Sequence, residues 1–215
     1  MVEPRVVPIE QEPRHRLVLR EGAVRVFDVR IPPGDTTLYH THDSAILYVP
    51  VSISPTDSQT LGGEWSGVKS TDASRFRMDA TDEITRYAAR PLTHRVKNVG
   101  TRLFRLIAVT NARVPEEPAS ALPDSPLPGA LERESPWFRV SRLVLSTGEG
   151  SEWFDAGLPT VVIQPEAGTV RVDGAPPGTT ELRDAGSWIY FPPGTRYRIA
   201  NLGANRTVLV VAEAR

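Results

Sequence analysis

The chain has 215 residues and a hydrophobic content of 40%, which is enough for one large domain or two small ones. Its formal net charge is −1 and no basic stripe is present, so we expect no nucleic-acid partner. There is no cysteine, which excludes disulfide bonds, thiolate metal ligands and a cysteine nucleophile.

The N-terminal stretch, MVEPRVVPIEQEPRHR, carries acids and prolines and has no apolar core of signal-peptide length. We interpret it as a proline-rich arm in which His15 is solvated. No later segment approaches the roughly 20 apolar residues that span a bilayer. The sequence therefore predicts a cytoplasmic protein that makes no membrane contact.

Short runs rich in Val, Ile, Leu, Tyr and Arg follow, separated by many of the chain's 20 prolines and 16 glycines. Runs of this kind, β-branched and bounded by turn residues, are typical of strands. They cover 23–31, 45–53, 102–110, 139–147, 160–164, 168–174, 187–193 and 206–214. In the second half, turn signals recur roughly every 8–12 residues, as in an all-β sandwich or barrel.

Helical periodicity is scarce between these strands. The best helical candidate, 119–134, is interrupted by Pro123, Pro126 and Pro128. We therefore interpret 113–136 as a proline-rich linker that joins an N-terminal domain, 1–112, to a C-terminal domain, 137–215.

The two halves of the chain resemble each other. Residues 25–34 match 139–148, and further along His94 aligns with Tyr197 and Asn98 with Asn201. The offset falls from 114 in the first match to 103 in the second, so the second copy is shorter between its motifs. The pattern indicates an internal duplication of a β unit of roughly 100 residues.

Three of the four histidines form a candidate metal site. His40 and His42 are one residue apart, and on a strand both side chains lie on the same face. His94 begins another strand-like run and could meet them across a barrel. Three neutral imidazoles suit Zn, Fe, Cu or Ni better than Mg or Ca. The alternative is three polar residues in a pocket that has lost its metal.

The spacing Gly34-x5-His40-x-His42, followed by His94-x3-Asn98, resembles the two motifs of the cupin superfamily. The second copy carries the later motif as Pro192-x-Gly194-x2-Tyr197-x3-Asn201, with Tyr in the histidine position. The resemblance covers most of 17–112 and 137–215. It implies an all-β fold of two tandem cupin barrels, each a double-stranded β-helix or jelly roll, and hence a bicupin.

The first half departs from the cupin pattern at one ligand. The glutamate that the pattern has three or four residues beyond the second histidine would fall at Ile46 or Leu47, and neither can coordinate. The resemblance therefore implies a three-histidine centre, as in the cupin dioxygenases that lack the carboxylate.

The second half has no histidine. Trp153 and Asp155 lie near the place of the His-x-His pair if one gap is allowed, and Tyr197 takes the third position. We expect no metal in this copy. Because Asn98 recurs there as Asn201, we interpret both asparagines as structural.

Other residues could complete the first site. Asp43, Tyr48 and Glu64 are candidates for a fourth ligand or for a hydrogen bond to one. Asp43 alternates to the face opposite His42, which favours a role outside the site. Tyr48 has the parity of the histidines and is the one candidate catalytic residue, with a buried core position as the favoured alternative.

The resemblance implies a metal-dependent, dioxygenase-like enzyme that acts on a small organic molecule in the N-terminal barrel. Iron is the favoured metal, with Zn, Ni, Mn or Cu as alternatives, and we expect no other cofactor. A non-catalytic metal-binding or sensing protein and a metal-assisted isomerase or hydrolase stay open as alternatives. The degenerate second barrel suggests a packing role, either against the first barrel or in a homodimer.

Overall fold

The computed structural model describes residues 4–67, 76–113, 126–175 and 178–215. Within these ranges the chain forms β-strands and two short 3₁₀ turns, Ile9–Gln11 and Arg86–Ala88. The chain divides into two compact units, Met1–Ala112 and Arg113–Arg215. In the described part, no helix is long and apolar enough to span a membrane.

The first unit contains two facing sheets. Its strands are β1 (Val6–Pro8), β2 (His15–Glu21), β3 (Val24–Ile31), β4 (Tyr39–His42), β5 (Ala45–Ser52), β6 (Thr56–Thr60), β7 (Asp82–Ile84), β8 (Leu92–Asn98) and β9 (Phe104–Asn111). One sheet has the order β2-β3-β9-β5-β7 and the other β1-β4-β8-β6. A core of apolar side chains on β3, β5 and β9 packs against Leu92 and Val96 of β8, so it lies between the sheets.

The second unit repeats this plan. Its strands are β10 (Ala130–Glu134), β11 (Phe138–Leu145), β12 (Phe154–Asp155), β13 (Thr160–Gln164), β14 (Val170–Ala175), β15 (Gly178–Leu182), β16 (Ser187–Phe191), β17 (Arg196–Asn201) and β18 (Thr207–Ala214). The sheets have the orders β10-β11-β18-β13-β16 and β12-β17-β14-β15. The five-stranded sheet therefore has the same order of equivalent strands as the five-stranded sheet of the first unit.

Strand β10 lies within the segment that the sequence suggested as a linker, 113–136. It pairs antiparallel with β11, with Ala130 facing Arg142 and Glu134 facing Arg139. Residues 130–134 are therefore part of the second unit's sheet. Residues 114–125 of the expected linker lie outside the described residues.

The duplicated asparagines make the same contacts in both units. Asn98 and Asn201 are each about 1% exposed or less. Each side-chain amide donates to two matching backbone carbonyls, those of Ile31 and Arg102 at 2.8 and 2.7 Å in one unit and those of Leu145 and Asn205 at 3.2 and 2.8 Å in the other. The residue therefore fixes a corner of each barrel.

A glycine completes the same corner. Gly34 and Gly148 have φ of 77° and 75°, in the left-handed region that favours glycine. Their N–H groups donate to the carbonyls of Asn98 and Asn201 at 2.9 and 3.1 Å. The motif glycine thus holds the chain against the motif asparagine just before it turns toward β4 or β12.

Strand β3 also carries a buried charge. Asp28 is 4% exposed and accepts hydrogen bonds from Arg30 and Arg105, both at 2.9 Å. Burial raises the pKa of Asp28, but the hydrogen bonds and charges of the two arginines outweigh burial and the net pKa lies below its usual range. The carboxylate is therefore ionised and joins β3 to β9.

Candidate metal centre

The histidine pair lies on a short strand at the inner face of the first unit. His40 and His42 are 0% and 3% exposed, and Thr41 between them points the other way to meet Thr93. Strand β4 pairs antiparallel with β8, with His40 directly opposite His94. Strand alternation and this register together bring three imidazoles to one place.

The three imidazoles converge through their Nε2 atoms. Nε2 of His42 lies 3.1 Å from Nε2 of His40 and 3.1 Å from Nε2 of His94. The rings of His40 and His94 have centroids 4.8 Å apart. Nitrogen atoms that point at a common centre from three directions form the donor set that a transition-metal ion requires.

Groups behind two of the rings fix their orientation. Nδ1 of His40 donates to the carbonyl of Leu38 at 2.9 Å. Because a carbonyl can only accept, Nδ1 carries the proton and Nε2 presents its lone pair to the centre. Nδ1 of His94 lies 3.1 Å from the hydroxyl of Ser58. Partners of this kind orient ligating histidines in known metal sites.

The fourth histidine is also in the cluster, contrary to our expectation that it is solvated. His15 begins β2 and is 5% exposed. Its ring centroid lies 4.3 Å from that of His40 and 6.1 Å from that of His42. One nitrogen from each of these three rings lies within 4.8 Å of the others. We call His15, His40, His42 and His94 the histidine cluster.

His15 has a buried carboxylate behind it. Nδ1 of His15 donates to Oε2 of Glu12 at 2.8 Å, and the Glu12 side chain is fully buried. The same carboxylate accepts from the backbone N–H of Arg14, His15 and Leu38 at 2.7, 3.0 and 3.1 Å. Burial raises the pKa of Glu12, but these hydrogen bonds and the His15 ring lower it by more than burial raises it. The net pKa of Glu12 is therefore below its usual range.

The protonation state of His40 fits a ligand role. Burial, together with the nearby rings of His15 and His94, lowers the pKa of His40 to about 2, although its bond to the Leu38 carbonyl opposes the change. His40 is therefore neutral throughout the physiological range. A neutral imidazole is the form that coordinates a metal ion.

The structure places the remaining candidates differently. Ile46 and Leu47 are both fully buried, and Ile46 lies in the core between the sheets, where the cupin pattern has its glutamate. Asp43 is exposed and accepts a hydrogen bond from Ser44 at 3.0 Å. Glu64 is exposed after β6. Neither carboxylate lies at the converging Nε2 atoms in these positions.

A cavity of about 270 Å³ lies beside the cluster, and His15, His42 and His94 form part of its wall. Tyr48 also lines it, is 7% exposed and packs edge-on against Phe76 at 5.3 Å. Most of the other lining is aliphatic or aromatic, and it comes from Val29, Ile31, Ile84, Tyr87, Leu92, Val96, Phe104 and Leu106. Arg86 is an exposed residue that also lines the cavity, and its guanidinium lies 5.5 Å from the centre of the Tyr87 ring.

The second unit has different side chains at the equivalent positions. Strand pairing places Phe154 opposite Tyr197, as His40 lies opposite His94. The pair equivalent to His40 and His42 is therefore Phe154 and Ala156, and our sequence alignment to Trp153 and Asp155 was one residue out of register. Neither Phe nor Ala offers a ligand atom. Tyr197 stacks on Phe191 at 4.3 Å and fills this interior with aromatic carbon.

No family model matches the sequence, and no curated protein matches it. Similar folds occur among solved structures. AerE from Microcystis aeruginosa aligns with a TM-score of 0.62 at 9% identity, over 90% of this chain and 88% of that one. A cupin 2 conserved barrel domain protein from Leptotrichia buccalis aligns with a TM-score of 0.52 at 9% identity, over 93% of this chain and 87% of that one. The chain has a cupin fold. The jelly-roll architecture and the cupin resemblance expected from the motifs are thereby confirmed.

Another cupin-fold neighbour is the salicylate 1,2-dioxygenase from Pseudoaminobacter salicylatoxidans, in a structure of its adducts with gentisate. It aligns with a TM-score of 0.58 at 11% identity, over 89% of this chain and 68% of that one. At 11% identity the similarity shows that the two chains share a fold, and it does not show that they share a chemistry.

Proposed function

We propose that the N-terminal barrel binds a divalent transition-metal ion through His40, His42 and His94 and acts as a dioxygenase-like enzyme on a small organic molecule. The observation that carries the proposal is the convergence of three Nε2 atoms, with 3.1 Å from His42 to each of the other two. Iron is the favoured metal, and Zn, Ni, Mn or Cu would also accept this donor set.

The residues present fit such an ion. Nε2 of His42 lies 3.1 Å from Nε2 of each of the other two rings, a spacing at which one ion with metal–nitrogen bonds of about 2.0–2.1 Å can bind the imidazoles together. His40, His42 and His94 would hold a divalent iron ion, which would supply oxygen-dependent redox chemistry to a substrate in the cavity. Leu38 and Ser58 hold two of the rings in the orientation that such an ion needs.

The cavity supports a small and mostly apolar substrate. Its volume of about 270 Å³ suits a molecule of a few to a dozen heavy atoms. The aromatic and aliphatic wall would exclude water from the metal, and Arg86 is the lining residue suited to an anionic group. Tyr48 is our candidate for orienting the substrate through its hydroxyl. The dioxygenase with gentisate adducts is a precedent, on the same fold, for this class of ligand.

Metal analysis and dioxygen uptake test the proposal. We expect purified protein reconstituted with Fe(II) without oxygen to hold about one ion per chain and then to consume dioxygen with some member of a panel of small aromatic and aliphatic acids. His94→Ala should lose both properties. Thr93→Ala is the matched control, because Thr93 is next in the chain and its side chain faces Thr41 instead of the metal.

Two results would contradict parts of the proposal. Wild-type protein that binds none of the five metals would overturn the metal centre. Protein that binds metal through His94 but consumes no dioxygen with any acid would favour a binding or sensing role, or hydrolytic chemistry. The homodimer, the cytoplasmic location and the domain boundaries 1–112 and 137–215 stay predictions.

A further inference from the structure

We infer that His15 is a fourth imidazole ligand and that Glu12, hydrogen-bonded to it, supplies the negative charge that the missing cupin glutamate would have provided. This inference rests on the metal centre proposed above. It concerns residues that lie outside both cupin motifs, in an arm that carries no recognisable ligand pattern.

His15 reaches the cluster from the other sheet. His40, His42 and His94 lie on β4 and β8, whereas His15 begins β2 of the five-stranded sheet. It nevertheless lines the same cavity as His42 and His94. His15 would therefore approach a bound ion from the five-stranded sheet, on the side opposite β4 and β8.

The orientation of the ring follows from its hydrogen bond. Nδ1 of His15 lies 2.8 Å from Oε2 of Glu12, and a carboxylate oxygen accepts the Nδ1 proton. In the neutral ring, Nε2 then carries the lone pair and is the nitrogen available to a metal ion. With the ring centroids of His15 and His40 only 4.3 Å apart, a single ion can be shared between the two rings.

The Glu12 side chain is held in one position by its hydrogen bonds, and it contacts His15 and not the converging Nε2 atoms. Three backbone N–H groups and one imidazole N–H donate to it, and its side chain is fully buried. One of those donors is the N–H of Leu38, whose carbonyl accepts the Nδ1 proton of His40. The Leu38 backbone therefore ties the Glu12–His15 pair to the first ligand of the cluster.

The charge balance gives the pair a function. Imidazoles alone leave a divalent ion with its full charge in a buried site, since Ile46 occupies the place of a ligating carboxylate. A carboxylate hydrogen-bonded behind an imidazole makes that imidazole a better donor and partly offsets the ion's charge. Glu12 would thus act one hydrogen bond away from the metal.

Affinity measurements with the metal ion alone test the inference. Apoprotein is titrated with Zn(II) against a chelator of known affinity, and with Co(II), whose visible absorption reports coordination number. We expect His15→Ala to weaken Zn(II) binding by about 100-fold and to change the Co(II) spectrum. We expect Glu12→Gln, which removes a charge behind a ligand, to weaken binding by about 10- to 100-fold. Free imidazole should restore part of the affinity of His15→Ala, because it can occupy the vacated position.

Controls separate a ligand from a buried polar pair that only stabilises the fold. Asp28→Asn removes another buried carboxylate of the same unit, one bound to arginines, and should lower stability without changing affinity. If His15→Ala does not fold, His15→Gln keeps a similar volume and a donor to Glu12. Variants of His15 and Glu12 that bind Zn(II) as tightly as wild type, with an unchanged Co(II) spectrum, would overturn this inference and leave the three-histidine centre standing. Wild-type protein that binds neither ion would overturn both.

Discussion

Replacing Asn98 with alanine removes one of the two matching corner residues. The side chain is fully buried, and its amide donates to the carbonyls of Ile31 and Arg102 at 2.8 and 2.7 Å. Its Oδ1 accepts from the N–H of Gly100 at 3.0 Å and from the hydroxyl of Ser54 at 2.9 Å. The change therefore removes four hydrogen bonds and leaves their four partner groups without this side chain.

The magnitude follows from this count. Each intramolecular hydrogen bond contributes about 1 kcal/mol net, and a buried partner left without one costs about 1–3 kcal/mol. Water can reach some of the freed groups, so we expect Asn98→Ala to lower the free energy of unfolding of the first unit by about 4 kcal/mol. The equivalent change at Asn201 should have a similar effect on the second unit.

Urea unfolding, followed by hydrogen exchange and mass spectrometry of peptides, measures the two units separately. Exchange should rise in 1–112 for Asn98→Ala and in 113–215 for Asn201→Ala. Lys97→Ala is the control, because Lys97 is the neighbouring residue and its side chain is exposed. A loss below about 1 kcal/mol for both asparagine variants would refute the assignment of these side chains as structural anchors.

Further predictions concern the metal centre, a buried charge and two glycines. Ser58→Ala should weaken metal affinity by about 10-fold in a chelator competition, because it removes the partner of His94; an unchanged affinity would contradict this. Asp28→Asn should cost about 3 kcal/mol at pH 7. The pKa of Asp28 is lowered by folding, so this contribution is present above the unfolded value of about 4 and is lost as pH falls through the folded value. In urea unfolding, the difference in free energy of unfolding between wild type and Asp28→Asn should thus shrink from pH 7 to pH 3. A difference that stays constant would argue against the ion pair. Gly174→Ala should lower the melting temperature much more than Gly148→Ala, since a Cβ at Gly174 would lie 2.0 Å from a facing backbone oxygen and one at Gly148 meets no atom within 4 Å; equal losses would count against the close approach.

The local pattern predicted eight strands, and each of the eight predicted runs overlaps a strand of the structure. Alternation of apolar and polar residues predicts which face of a strand is buried, and it placed His40 and His42 side by side. The sequence suggested that His94 could meet this pair across a barrel, and the pairing of β4 with β8 came only from the structure. The sequence itself shows that Ile46 cannot act as the ligating glutamate, and the structure places Ile46 in the core.

His15 could not be placed from its surroundings in the sequence. Prolines on the N-terminal side of His15 suggested an irregular arm. The burial of His15 depends instead on the pairing of β2 with β3, in which His15 lies opposite Val29. A signal was present, because the apolar run Leu17-Val18-Leu19 follows His15 and Arg16, and Leu17 pairs opposite Phe27. An apolar run of this kind is consistent with a strand, but it does not indicate which residues pack against it. The contact with His40 is a tertiary one.

Two other differences have the same origin. Strand β12 has only two residues, so nothing local fixes whether Trp153 or Phe154 faces inward, and its pairing with Tyr197 decides the register. Strand β10 lies at the edge of its sheet with mostly exposed side chains. Its sequence carries no inward-facing apolar stripe, and only the pairing with β11 makes it a strand.

The contrast between the two units is itself an argument for a ligand in the first. Both have the same corner of glycine and asparagine, so the scaffold does not require imidazoles. At the equivalent positions the second unit buries aromatic carbon, which stabilises a barrel through packing alone. The first buries a cluster of imidazoles whose Nε2 atoms converge, an arrangement that a metal ion can bind. A metal ion at 100 times its Kd would return about 2.7 kcal/mol. We therefore expect metal to raise the stability of the first unit and leave hydrogen exchange in the second unchanged.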